Sequence, residues 1–259
     1  MKLRFVFIGA GSLATHLSDA IKINGYSVIQ IFSRTENSAK KLAKKLHTTY
    51  TTSTSEIKKE ADIYIVALKD SAFQEVLPKI DFGDKLVVHC AGSLSISVLE
   101  KYAKNFGVLY PLQTFSKGRE INFKKVPVFV EANSVENERL LLEIVQKISN
   151  SVSILSSDKR IYLHIAAVFA CNFVNHFYTI ASDILKTENM SFEVLRPLIL
   201  ETAAKVQVLE PHEAQTGPAI RFDENIISKH LKELKGKKNY DELYNIISKS
   251  IFEHHQNTK

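Results

Sequence analysis

Two cysteines in 259 residues, Cys90 and Cys171, are too few for a disulfide framework or a zinc cluster, and the simplest reading is a pair of buried thiols in a reducing compartment. No metal site is expected. A charged segment followed by an apolar core and a small-residue cleavage site is missing as well, since the chain enters a strand-like run at Leu3; the expectation is no signal peptide and a cytoplasmic protein. The longest strongly apolar stretch, 165–171, is interrupted by Asn172 and falls far short of the ~20 residues a membrane-spanning helix needs, so no membrane partner is expected. Internal repeats and low-complexity linkers are absent. The net charge of +6 comes from lysines spread in pairs such as Lys40-Lys41, Lys44-Lys45 and Lys58-Lys59. Without interleaved aromatics or a nucleic-acid motif these read as solvated faces, and nucleic acid is not expected as a partner.

What is present is an ordinary globular composition, 45% hydrophobic, in a chain long enough to bury roughly three quarters of its unfolded surface in two modest domains. Strand-like and helix-like segments alternate through the first half, the pattern of a parallel sheet covered by helices. After a first strand near Leu3, the segments 27–32, 62–68, 85–89 and 106–110 read as strands. Segments 126–130 and 151–155 read as edge strands around a helix at 135–148, with Pro127 better suited to an edge than to a centre. Strand-like runs cease after about Ser156, which sets domains of 1–156 and 157–259. The second is expected to be all-helical, with helices at 159–186, 191–208, 223–234 and 240–254. The first of these is apolar around most of its circumference, as expected of a helix buried between domains or subunits, and a homodimer built on it follows.

The most informative segment runs from Leu3 to Ala14, where Gly9-Ala10-Gly11-Ser12-Leu13-Ala14 joins an apolar strand to an amphipathic helix. Gly9 permits a tight turn, Gly11 lets the backbone approach phosphate oxygens, and Ala14 lets helix and strand pack closely. The first turn of the helix, with its open N–H groups and positive dipole end, favours an anion such as a dinucleotide pyrophosphate. The second strand then ends in Ser33-Arg34-Thr35, where an NAD-specific site would carry an acidic residue. A guanidinium between two hydroxyls suits a 2′-phosphate, so NADP is the expected cofactor; the alternative is an exposed Arg34 that merely opens the next helix.

In an open parallel sheet, ligands bind outside the carboxyl ends of the strands. The loops there supply Leu68, Lys69 and Asp70 for the nicotinamide ribose, and small residues Ala91 and Gly92 to make room for the ring. They also supply His89, Gln113 and Thr114 as substrate contacts. His89 has an equal alternative as a cap of backbone groups, and Pro111 as a turn former. On the long helix, at 100° per residue, His164, Cys171, Asn172, Asn175, His176, Thr179 and Asp183 share one polar stripe. Within it His164 can donate a proton and Asn172 can hold a polar substrate group, and the alternative is a hydrogen-bonded brace between domains. Arg221, beside a Gly217-Pro218 loop, either binds a substrate carboxylate or pairs with Asp223.

Taken together, GAGSLA, FSRT, HCAG, YPLQTF, HIAAVFACN and TGPAIR resemble the Rossmann-like proteins with a helical C-terminal domain of unknown function 2520, a group named for NADP oxidoreductases. The first half is also similar to pyrroline-5-carboxylate reductase, ketopantoate reductase and the deazaflavin-dependent NADP oxidoreductases. The resemblance implies an N-terminal Rossmann domain with a doubly wound, mostly parallel sheet, an all-α dimerisation domain, and an active site in the cleft between them. Val168 stands four residues before Asn172, where β-hydroxyacid dehydrogenases carry a catalytic lysine. Two functions follow. One is an NADP-dependent oxidoreductase acting on a small carbonyl or imine compound, and the other is a dinucleotide-binding regulator or sensor without turnover.

Overall fold

The structure is a computed structural model and describes residues 2–256. Its first compact unit, 1–172, is built on an eight-stranded sheet of order β3-β2-β1-β4-β5-β6-β7-β8. These strands are β1 Arg4–Ile8, β2 Ser27–Phe32, β3 Thr49–Thr51, β4 Ile63–Val66, β5 Leu86–His89, β6 Asn105–Pro111, β7 Val128–Ala132 and β8 Val152–Ile154. Every pairing is parallel except that of β6 with β7. The order 3-2-1-4-5-6 is that of dinucleotide-binding sheets, and the chain reverses its winding between β1 and β4, the crevice where ligands bind in such folds.

Alternation along β1 explains its central place. Phe5 and Phe7 enter the core under α1 (Ser12–Ile23), α2 (Glu36–Leu46) and α4 (Val135–Ile148), whereas Val6 and Ile8 enter the opposite core with Phe73 of α3 (Phe73–Val76) and Leu99. A strand apolar on both faces can only sit inside a sheet covered on both sides.

One expectation needs correction, and one strand was missed. Strand β7 is no edge: it lies between β6 and β8, and Pro127 precedes it, its carbonyl accepting a hydrogen bond from the Leu112 amide at 2.8 Å. Placing Pro127 outside the ladder frees the strand for the interior. The three-residue β3 was not visible in the sequence, being too short for an alternating pattern.

The long helix runs from Ser157 to Thr187 as α5 (Ser157–Ala167), a π-helical turn (Val168–Phe173) and α6 (Val174–Thr187). Within the single chain it is largely exposed, where its composition led us to expect burial between domains or subunits. Only Arg160 among its residues is buried, while Tyr162 is 74% and Ile165 46% exposed. At 31 residues, with a window of mean hydropathy 1.2, it is long and apolar enough to cross a membrane by length and composition, unlike the short run 165–171 on its own.

The second unit, 173–259, contains α6, α7 (Arg196–Lys205), α8 (Pro211–Ala214), α9 (Glu224–Leu234) and α10 (Tyr240–Gln256). Asp223 caps α9, its carboxylate accepting from the Ile226 amide. The Asp183 carboxylate accepts from Lys238 Nζ and Tyr240 Oη, tying α6 to the start of α10.

Candidate active site

The glycine turn leaves the end of β1 pinned on both sides, the Gly9 amide donating to Phe32 O of β2 and the Ala67 amide to Ile8 O, each at 2.8 Å. Gly9 has φ +121°, and a Cβ there would lie 2.2 Å from Ala67 O, so only glycine fits. Gly11 is glycine for another reason: a Cβ on it would meet nothing of the protein within 4 Å. The amides of Ser12, Leu13 and Ala14 beside it are uncapped by any side chain, an open helix N-terminus that could hold an anion. Ala10 flanks this space, and Ala14 is fully buried against the sheet.

At the end of β2 the Ser33 hydroxyl accepts from the Thr35 amide, and Arg34 Nη1 lies 2.5 Å from Glu75 Oε2 with both side chains about half exposed. The guanidinium is therefore not idle; it is held by a carboxylate from α3 that any bound phosphate must share it with. After β4, Leu68 is half-buried, Lys69 is exposed, and the Asp70 carboxylate accepts from the Ser93 hydroxyl, which joins the loops after β4 and β5.

Of its two expected roles, His89 takes that of a backbone cap. The ring is fully buried against the edge of Phe73, its Nδ1 accepts from the Ala91 amide at 3.2 Å, and it presents no surface to a substrate. Burial, with the charge of Arg160 adding to it, pushes its pKa down to about 4, so it is a neutral cap that shapes the Ala91-Gly92 turn. The role of Gly92 changes with it. A Cβ at Gly92 would lie 2.5 Å from His164 Nδ1 and 3.0 Å from Tyr110 Cε2, so the space it leaves is filled by the imidazole.

His164 is thereby brought to the carboxyl ends of β5 and β6. Its Nδ1 is 3.1 Å from Tyr110 Oη, and the two rings meet edge to face. They line a cavity of about 450 Å³ together with Gln113, Thr114, Cys171 and Asn172, and the alanines of α5 keep it open. The Gln113 side-chain oxygen accepts from the Thr114 amide at 2.7 Å, which fixes that loop. Burial raises the Tyr110 pKa, so the phenol keeps its proton. Cys90 is buried as expected, and burial pushes its thiol pKa up; Cys171, expected to be buried, is exposed at the cavity. The cavity is built wholly from residues of the first unit, with α5 and the π-helical turn contributing the helical side.

What fixes the helix in register is a group the sequence did not single out. Arg160 is 1% exposed, with Nη1 2.5 Å from Glu131 Oε2 and Nη2 donating to Leu94 O and Ser157 Oγ. Glu131 also accepts from the Ser157 amide and hydroxyl, capping the first turn of α5. One clamp joins β7, the loop after β5 and the helix that carries His164. The available signal was Glu131 itself, a carboxylate within the apolar run of β7.

The polar stripe does not continue as drawn, because the π-helical turn at 168–173 breaks the constant 100° step. His164, Cys171 and Asn172 meet at the cavity, whereas Thr179 bonds to Asn175 O and Asp183 to Lys238 and Tyr240 within the second unit. Arg221 lies on an exposed turn of that second unit, and Asp223 is occupied as the α9 cap. Among the described residues, no group of three or more His, Cys, Asp or Glu is arranged to hold a metal ion.

Residues 4–93 match the family described as NADP oxidoreductase coenzyme F420-dependent, and residues 126–251 match the domain of unknown function DUF2520. The chain is 48% identical to the "putative NADP oxidoreductase" of Bacteroides fragilis, over 97% of this chain and 98% of that one, with a TM-score of 0.94. A Thermotoga maritima protein shares 21% identity over 98% and 99%, with a TM-score of 0.72. An imine reductase of Myxococcus stipitatus, solved with NADP+, shares 15% over 98% and 93%, with a TM-score of 0.65. These last two likenesses show the fold alone. No curated protein sequence matches the chain. A pinned glycine turn at the crest of a dinucleotide-binding sheet, carried by a near-full-length relative of 48% identity, places the chain in the family of pyridine-nucleotide-dependent NADP oxidoreductases that end in a DUF2520 domain.

Proposed function

We propose that the protein is an NADP-dependent reductase of a small carbonyl or imine compound, with His164 as the proton donor. The observation that carries this reading is the cavity in which His164, Asn172, Gln113 and Thr114 converge beside the carboxyl ends of the strands. The residues present fit the cofactor. The amides of Ser12, Leu13 and Ala14 would take the pyrophosphate, and Ser33, Arg34 and Thr35 the 2′-phosphate, with Leu68, Lys69, Asp70 and Ala91 beside the ribose and ring. NADPH supplies a hydride when bound. The chain must then bind the substrate, hold its polar group and deliver one proton to the oxygen or nitrogen as its carbon receives the hydride pair. Asn172 and Gln113 offer amides to that polar group, and His164 offers the proton. The step balances when the Nε2 proton passes to the substrate as the Tyr110 phenol, 3.1 Å from Nδ1, gives its proton to that nitrogen, so that the ring stays neutral and the phenolate is recharged from solvent.

The exposed apolar surface of the long helix, Tyr162 and Ile165 included, supports a homodimer in which a second copy covers it. Light scattering at micromolar concentration should return twice the chain mass. The function is tested by following NADPH oxidation against a panel of keto acids, aldehydes and cyclic imines. Consumption of at least one class supports the reading, and tight NADPH binding with none consumed from a broad metabolite extract overturns it.

A further inference from the structure

We propose that Tyr110 is a positioning residue for His164, its phenol donating to Nδ1 and so holding the imidazole as the tautomer that carries its proton on Nε2. The inference rests on the reductase reading for its purpose and on geometry for its substance. Tyr110 is the penultimate residue of β6, where pairing with Phe129 of β7 fixes its backbone, and it is 7% exposed. Its Oη lies 3.1 Å from His164 Nδ1, its one hydrogen-bond partner among the described residues. A phenol with a single partner sends its proton there, because a buried O–H left without an acceptor is costly. An Nδ1 that accepts cannot also carry hydrogen, so the neutral ring holds its proton on Nε2.

Both ends of this contact are held rigidly. Gly92 closes the Nδ1 side of the ring so tightly that a Cβ there would lie 2.5 Å from that atom. One turn earlier on the helix, Arg160 anchors α5 to Glu131 and Leu94 O, so the imidazole cannot slide away from the phenol. Among the described residues Nε2 has no hydrogen-bond partner, which leaves it as the nitrogen for the cavity. The arrangement differs from one in which the phenol itself reaches the substrate, because its proton is already committed to the imidazole.

The experiment is long-range nitrogen–proton correlation of the histidine rings in the full chain labelled with nitrogen-15, without substrate. His164 is assigned by the loss of its signals in His164→Gln. The wild type should show His164 as the Nε2–H tautomer with an Nδ1 resonance displaced by hydrogen bonding. Tyr110→Phe should move that resonance towards the free position. His89, whose Nδ1 accepts from the Ala91 amide, should stay unchanged and serves as an internal reference. With a consumed substrate, Tyr110→Phe should lower kcat roughly tenfold or more at unaltered KM for NADPH, since the wrong tautomer has no proton at the reacting nitrogen. A wild-type His164 protonated on Nδ1 overturns the proposal without any variant, as does an Nδ1 resonance indifferent to Tyr110→Phe. Because the ring is read without substrate, failure of the reductase reading leaves this result standing.

Discussion

The glycine turn and the His164 cavity both sit at the carboxyl ends of the strands, yet one is made from a single stretch of chain and the other from four. Gly9, Gly11 and the first turn of α1 are neighbours in sequence, and their geometry follows from one strand-to-helix connection pinned between β2 and β4. The cavity needs Gly92, Tyr110, Glu131 and the 160–172 segment at once, and its defining hydrogen bond spans 54 positions. A site of the first kind survives anything that leaves β1, α1 and their pins to Phe32 and Ala67 intact. One of the second kind depends on the scaffold that brings distant segments together, here the Arg160–Glu131 clamp.

The largest effect should come from breaking that clamp. Arg160→Met removes one partner of a buried pair and leaves Glu131 uncompensated, at a cost of about 3–5 kcal/mol in unfolding by denaturant. Adding Glu131→Leu should recover part of the loss. A single variant as stable as the wild type would mean that the helix is held by something else, and the contrast between the two regions would weaken.

His89, beneath the same loops, sharpens the comparison through pH. Its folded pKa is lowered to about 4 while the unfolded value stays near 6.5, so between these values the unfolded chain binds more protons. Stability should therefore fall as pH drops from about 6.5 to 4, by up to about 3 kcal/mol, and this group should add no slope above that window. Denaturant titrations across the range should show a shallower slope for His89→Asn; an identical slope would mean that the ring is not kept neutral by burial.

On the glycine-turn side the effects are smaller and confined to the cofactor. Arg34→Ala should loosen NADPH roughly tenfold and spare NADH, since one charge-assisted phosphate contact is lost. Glu75→Gln should tighten NADPH instead, by freeing the guanidinium that the carboxylate now holds. Calorimetric titration measures both, and equal wild-type affinity for the two nucleotides would remove the assignment of Arg34.

This difference in assembly also explains what could be read in advance. The glycine turn, the sheet of parallel strands and the helical second half were legible because strand and helix periods are local signals. Gln113, Thr114, His164 and Asn172 were recognisable as polar residues after strands or on an apolar helix, but their meeting was not, since no local rule joins position 110 to 164. The stripe drawn at constant pitch lost its register at the π-helical turn, which nothing in Val168-Phe169-Ala170-Cys171-Asn172-Phe173 announces. His89 was placed at the right loop with two tasks of equal weight, and only burial decides between them, because burial sets whether a histidine meets a ligand or a backbone amide. Arg160 escaped notice for the same reason: as one of several charges opening the helix, it looks like a solvated residue until Glu131 is folded beside it.

The account rests on cofactor binding and proton delivery being the work of separate regions, and the direct measurement is NADPH affinity and turnover taken side by side in His164→Gln. Binding should remain within a few-fold of the wild type while turnover of a consumed substrate falls roughly 10²-fold or more, the range expected when a general acid is removed. Full turnover in His164→Gln, or a loss of NADPH binding equal to the loss of turnover, would contradict it.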